Sequence, residues 1–151
     1  MEKLWYKEHN DEVIKGFFGE YRFLSNFHIA DIDYEGIIYP TSEHAYQAAK
    51  TLDEEERLKI SKLSPQDAKR EGRLITLRPR WDKIKMSVMF EILDYKFSAY
   101  NDLNLALQQT EGKYLEETNH WGDVYWGVDC KSNEGLNMLG QVLMAIRESW
   151  L

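Results

Sequence analysis

Four stretches of this 151-residue chain carry polar groups that neither a plain core nor a plain loop requires. In Tyr39-Pro40-Thr41-Ser42-Glu43-His44-Ala45-Tyr46-Gln47-Ala48-Ala49-Lys50, the residues Glu43, Gln47 and Lys50 recur at spacings of four and three. A helix there carries them on one face. Glu43 is then either a reactive carboxylate or a surface acid favoured by the positive end of the helix dipole. His44 has no second histidine at helical spacing, so no metal site is expected. In Trp121-Gly122-Asp123-Val124-Tyr125-Trp126-Gly127, alternation sets Asp123 and Tyr125 on one face of an extended segment, and Val124 and Trp126 on the other. A carboxylate beside rings suits a nucleoside-like substrate, with glycine at 122 and 127 permitting close approach. The plainer reading is an aromatic edge strand between turns.

Two further stretches are weaker. Ser25 and Asn26 sit between large apolar residues in Tyr21-Arg22-Phe23-Leu24-Ser25-Asn26-Phe27. Asn26 either meets a ligand or bonds its own backbone in a turn. In Glu134-Gly135-Leu136-Asn137-Met138-Leu139-Gly140, glycines and Asn137 at a helix start suggest backbone N–H groups available to an anion. The spacing matches neither a P-loop nor a dinucleotide-binding fingerprint.

These residues need elements to position them. Residues 28–33 and 36–39 read as a hairpin turning at Tyr34-Glu35-Gly36. Thr41 is an N-cap, and residues 43–50 form a helix. Residues 53–61 are charged and helical. Ser64 caps, and Pro65 opens, a helix over residues 64–73. Residues 78–81 are a loop ahead of a long helix over 82–99, with Met86, Met89, Leu93 and Phe97 on one face. Leu103, Ala106 and Leu107 mark a short helix that ends before Gly112. Two short extended pieces follow within residues 113–126. A helix over 134–150 closes the chain, with Leu136, Leu139, Leu143 and Ile146 as its buried stripe and Arg147 near its end. The sum is an α+β fold, predominantly helical, with a small antiparallel sheet.

Length and an ordinary apolar share, 43%, fit a single domain over residues 1–151. No apolar run is long enough to span a bilayer, and the first residues lack the features of a signal peptide. One cysteine, Cys130, permits no intrachain disulfide and is compatible with a reducing compartment, so a cytoplasmic location is expected. Lys plus Arg is 19 and Asp plus Glu is 26, for a net charge of −7. A chain so charged has no general attraction to nucleic acid or anionic membrane.

Taken in order, the motifs resemble the NADAR (YbiA-like) family. The series opens with Leu24-Ser25-Asn26-Phe27 and Pro40-Thr41-Ser42-Glu43-His44-Ala45-Tyr46-Gln47 with Lys50. Ala68-Lys69 with Gly72-Arg73 continues it, then Leu77-Arg78-Pro79 with Trp81, Lys85, Val88-Met89 and Lys96-Phe97. Asp123 with Trp126-Gly127, Gly135-Leu136-Asn137 with Leu139-Gly140, Leu143-Met144 and Ile146-Arg147 complete it. The likeness runs from about residue 17 to residue 147. It departs at Arg80, where the family pattern often has an acid.

The resemblance implies an N-glycosidase that cleaves a ribosyl C1–N bond without a cofactor or metal. In the YbiA-like type, the substrates are phosphoribosylated intermediates of riboflavin biosynthesis. Other members remove ADP-ribose from guanine, which gives an alternative with modified nucleic acid or nucleotide as partner. A non-catalytic module binding ADP-ribose or a nucleotide is the alternative from another class. On the first reading Glu43 and Asp123 are the catalytic carboxylates, divided between acid and base roles as in glycosidases. Trp81 and Trp126 stack on base or sugar, and Asn26 hydrogen-bonds the ligand, with Ser25, Gly127 and Asn137 beside it. Lys50, Lys69, Arg73 and Arg78 are candidates for the phosphate.

Overall fold

The computed structural model describes residues 12–150. Their contacts gather into two compact units, one spanning Asn26–Tyr100 and the other combining residues 12–25 with residues 101–150.

The Asn26–Tyr100 unit begins with strands β2 (Ile29–Tyr34) and β3 (Ile37–Thr41), following β1 (Val13–Lys15) of the other unit. The predicted hairpin is there: Tyr34 pairs with Ile37 in an antiparallel ladder. Glu35 and Gly36 take positive φ, 50° and 91°, as a two-residue hairpin turn requires. Asp33 Oδ1 accepts from Gly36 N–H at 3.1 Å. Ala30, Ile32 and Tyr34 are buried and their neighbours exposed, the period-two signature of a sheet with one wet face.

Four helices follow: α1 (Ser42–Ala49), α2 (Glu54–Ser61), α3 (Pro65–Glu71) and α4 (Trp81–Ala99). The capping signals act as the sequence suggests. Thr41, Asp53 and Ser64 accept from the backbone N–H groups of His44, Glu56 and Asp67. Every residue of α1 is buried, because α2, α3, α4, β2 and β3 all pack on it. On α4 the buried stripe is Val88, Met89, Ile92, Leu93, Lys96 and Phe97. Met86, placed in that stripe by spacing, lies instead on the exposed side.

The second unit holds a 3-10 helix (Gly19–Leu24), α5 (Asn101–Gln108), β4 (Tyr114–Glu116), β5 (Thr118–Asn119), β6 (Val128–Asp129) and α6 (Met138–Ser149). β1 pairs with β4 and β5 with β6, both in parallel. The antiparallel sheet expected from the sequence is therefore the β2–β3 hairpin, with two parallel ladders besides. Those ladders are two or three residues long, too short to show a period. Arg147 Nη1 donates to the carbonyls of Thr110 and Lys113, each at 2.8 Å, and so ties α6 to the turn after α5.

Two expectations for this unit need correction. The last helix starts at Met138 rather than residue 134, and Leu136 is exposed instead of lying in the stripe. Residues 121–127 form a loop, so the alternation of Asp123 and Tyr125 against Val124 and Trp126 has no strand to act on. The overall class is as expected: α+β, predominantly helical. Among the described residues no helix is long and apolar enough to cross a membrane.

Candidate active site

α1 puts polar side chains where a buried helix ordinarily puts apolar ones. Ser42, Glu43, His44 and Gln47 are all buried. Buried polar groups persist when they are bonded, and each of these has a partner. His44 bonds Thr41 Oγ1 through Nδ1 at 2.6 Å and the Leu63 carbonyl through Nε2 at 2.7 Å. Burial lowers the His44 pKa, opposed by the Leu63 bond; a carbonyl only accepts, so Nε2 is the donor to Leu63. His44 is thus a strut between α1 and the turn after α2.

Asn26 joins the N-terminus of the same helix. Its carbonyl accepts from Glu43 N–H at 3.0 Å, and its Oδ1 accepts from Ser42 Oγ at 2.8 Å. The amide nitrogen donates to Met89 Sδ at 3.7 Å, a weak acceptor for a strong donor. The turn reading is thereby replaced: Asn26 Oδ1 is bonded to a side chain of α1.

Glu43 is 8% exposed, and its Oε2 accepts from Gln47 Nε2 at 2.6 Å. One turn further on stands Lys50. Burial lowers the Lys50 pKa, the Glu43 charge opposes that shift, and Arg73, Lys85 and Lys69 add to it. Lys50 thus feels the Glu43 carboxylate together with Lys69 and Arg73, two other predicted phosphate ligands, and Lys85. The Lys50 ammonium lies 5.5 Å from the Tyr46 ring centroid, and that ring lies 5.4 Å from Trp81. Trp81 is buried, so it backs Tyr46 and presents no open face for stacking.

The fourth predicted cation is placed differently. Arg78 donates its backbone N–H to the Lys50 carbonyl at 2.7 Å and its Nη1 to the Ala49 carbonyl at 3.2 Å. A cation on the last carbonyls of α1 is a helix C-terminal cap.

The other unit holds Ser25, Asp123, Trp126, Gly127 and Asn137. Ser25 ends the 3-10 helix, donating its N–H to the Arg22 carbonyl at 2.9 Å. Asp123 Oδ1 accepts from the N–H groups of Tyr125 and Trp126 at 3.1 and 2.9 Å. Asn119 bonds both the N–H and the carbonyl of Asp123, at 2.9 and 2.8 Å. These bonds shape the loop that carries Trp126, whose ring meets Tyr125 edge-on at 4.8 Å. A Cβ at Gly127 would stand 2.2 Å from the Glu117 carbonyl oxygen, so glycine is needed there for the chain's own packing.

Asn137 is fully buried in left-handed backbone, φ 55°. Its amide bonds Tyr114 Oη, the Leu115 carbonyl and Glu117 N–H. Of the N–H groups expected to meet an anion at the start of this helix, four are taken by the chain itself. The N–H groups of Leu136, Asn137, Met138 and Leu139 go to the carbonyls of Val124, Gly127, Tyr125 and Trp126.

Four residues outside the expected set stand out. Gln47 was legible as a face-mate of Glu43, but its bond to the carboxylate was not. Lys85 carried no signal beyond its place in the family series. Glu116 is buried, accepting from Thr118 Oγ1. Lys96 is fully buried in α4, and burial pushes its pKa down to about 7. A lysine seven residues after Met89, within an apolar stripe, was the available sign of it.

Comparison with known proteins agrees with the family resemblance. The sequence model of the NADAR domain matches residues 5–150. N-glycosidase YbiA of Shigella flexneri is 40% identical over 133 residues, covering 85% of this chain and 81% of that protein. A chloroplastic riboflavin biosynthesis protein, PYRR, of Zea mays is 35% identical over 127 residues, covering 75% of this chain and 20% of its own longer one. The NMR structure of Escherichia coli YbiA superposes with a TM-score of 0.80 at 38% identity, over 93% of this chain and 85% of that one.

Proposed function

The chain belongs to the NADAR family and is a hydrolase of N-glycosyl bonds, and on that premise we propose that its substrate is a phosphoribosylamino-pyrimidine of riboflavin biosynthesis. The observation that carries this reading is the setting of Glu43. A buried carboxylate, hydrogen-bonded by Gln47, acts on Lys50, which in turn feels the charges of Arg73, Lys85 and Lys69. A phosphorylated ribose needs both: cations for the phosphate and a carboxylate for the sugar carbon.

Breaking the bond between ribose C1 and nitrogen builds positive charge on C1 and the ring oxygen. The Glu43 carboxylate stabilises that charge. It also accepts a proton from the water whose oxygen bonds to C1, while the departing nitrogen takes up a proton. Low exposure strengthens the effect, because fewer waters screen the carboxylate. Lys50, Lys69 and Arg73 hold the phosphate, and Lys85 adds to their field. Asn26, whose amide nitrogen donates to the weakly accepting Met89 thioether, supplies a hydrogen bond to the ligand. The relatives' names support the assignment, one being an N-glycosidase and another a riboflavin biosynthesis protein.

Product analysis by mass spectrometry tests the substrate. Purified protein is incubated in parallel with a phosphoribosylamino-pyrimidine and with ADP-ribosylated guanosine. Release of ribose 5-phosphate from the first is the expected result. Release of ADP-ribose from the second alone would transfer the protein to the ADP-ribose branch of the family. Binding of either without cleavage would make it a reader of the ligand.

A further inference from the structure

Gln47 donates to the Glu43 carboxylate from within the same helix, and we propose that Gln47, seated against Gly72, is a positioning residue of the N-glycosidase reaction. The inference rests on the reading that Glu43 does the chemistry. Gln47 lies one helical turn after Glu43, on the same face of α1, and its Nε2 donates to Glu43 Oε2 at 2.6 Å. A carboxylate only accepts, so the amide turns its nitrogen toward Glu43 and its oxygen away. That oxygen, Oε1, is buried and has no hydrogen-bond partner among the described residues. Orphaned buried acceptors are uncommon, and each asks for a reason. Here the reason is that the amide has one admissible orientation, set by the carboxylate.

The other side of the amide meets Gly72. A Cβ built on Gly72 would stand 1.8 Å from Gln47 Oε1, 2.7 Å from Cδ and 3.3 Å from Cβ. Gly72 has φ −58°, ordinary right-handed backbone, so no conformational demand calls for glycine. The demand is space. Any side chain there drives the amide off its seat, and α1 is buried on all sides, leaving the amide little room to go elsewhere. Gly72, Gln47 and Glu43 therefore form a line of contact, from the end of α3 through α1 to the carboxylate. A carboxylate held in one rotamer meets the developing charge in position, and misplacement of such a group by about 1 Å costs on the order of 10²-fold in rate.

Steady-state kinetics on the two substrates named above, with thermal midpoints for every variant, test this. Gln47→Met keeps the volume and removes the donor. It is expected to lower kcat about 10-fold to 10²-fold while KM stays within about threefold. Gly72→Ala should show the same split. In Gln47→Ala the shortened side chain leaves room for a methyl at position 72, so the Gln47→Ala/Gly72→Ala pair should be no slower than Gln47→Ala alone. That pair also serves if Gly72→Ala by itself fails to fold. Full kcat in both Gln47 variants beside an inactive Glu43→Gln would overturn this inference and leave the catalytic reading standing. Wild-type activity in Glu43→Gln would overturn both. Additive losses in the pair would break the link from Gly72 to Gln47.

Discussion

The rings of Tyr46 and Trp81 lie 5.4 Å apart at 53°, and Lys50 sits 5.5 Å over the Tyr46 ring. Trp81 opens α4 and Tyr46 lies within α1, so this contact joins the two helices beside Lys50. Trp81→Ala should destabilise the protein by about 3–5 kcal/mol, the usual result of emptying a large buried site. Trp81→Phe, which keeps a ring against Tyr46, should cost far less. Chemical denaturation of both variants checks the contrast. Equal losses would mean that the ring contact contributes nothing specific.

Charge at Lys50, Lys69 and Arg73 should act on binding more than on turnover. Removing one charge-assisted bond to phosphate is worth about 1.5–3 kcal/mol. Lys50→Met and Arg73→Met should therefore raise KM for a phosphorylated substrate by about tenfold or more, with kcat nearly unchanged. The wild-type KM should also rise with ionic strength. Unchanged KM in both variants would remove these cations from the phosphate.

Asp123 poses a sharper question, because its Oδ1 already organises the loop ahead of Trp126. Asp123→Asn keeps an oxygen acceptor there, whereas Asp123→Ala does not. We expect Asp123→Asn to retain turnover within a few-fold, and Asp123→Ala to lose both turnover and about 1–3 kcal/mol of stability. A loss on the order of 10²-fold in a well-folded Asp123→Asn would return the carboxylate to the chemistry.

Lys96 makes stability depend on pH. Its folded pKa of about 7 lies below the ordinary lysine value. Between the two, the unfolded chain binds a proton that the folded chain does not. The contribution of this group to stability therefore rises with pH across that window, by at most about 1.4 kcal/mol per pH unit. At and below about pH 7 the cost of burying the charge is fully felt. Lys96→Met should flatten the rise between pH 7 and pH 10, leaving the part that Lys50 contributes. Parallel stability curves for the two proteins over that range would contradict this.

The parts of the fold written in local chemistry were legible. Thr41 and Ser64-Pro65 announced helix starts, and Tyr34-Glu35-Gly36 announced a hairpin. The parallel ladders were not legible, since Val13 finds Tyr114 and Thr118 finds Val128 over lengths too short for a period. At the site, spacing placed Glu43, Gln47 and Lys50 together. It could not show that α1 is enclosed on every side, which turns a surface-looking acid into a buried one. Nor could it show Asp123 and Asn137 bonding their own chain, because both bonds depend on partners brought in by the fold. Gly72 fell inside the helix expected over residues 64–73 and in the family series. Its requirement for glycine comes from Gln47, twenty-five residues earlier in the sequence.

The most direct measurement is turnover by Glu43→Gln. The substitution keeps the side-chain shape and removes the charge, so the thermal midpoint should stay close to that of the wild type. With a phosphoribosylamino-pyrimidine, wild type should release ribose 5-phosphate, and Glu43→Gln should do so at least about 10²-fold more slowly. Release at the wild-type rate by a folded Glu43→Gln would contradict the assignment of Glu43 to the chemistry.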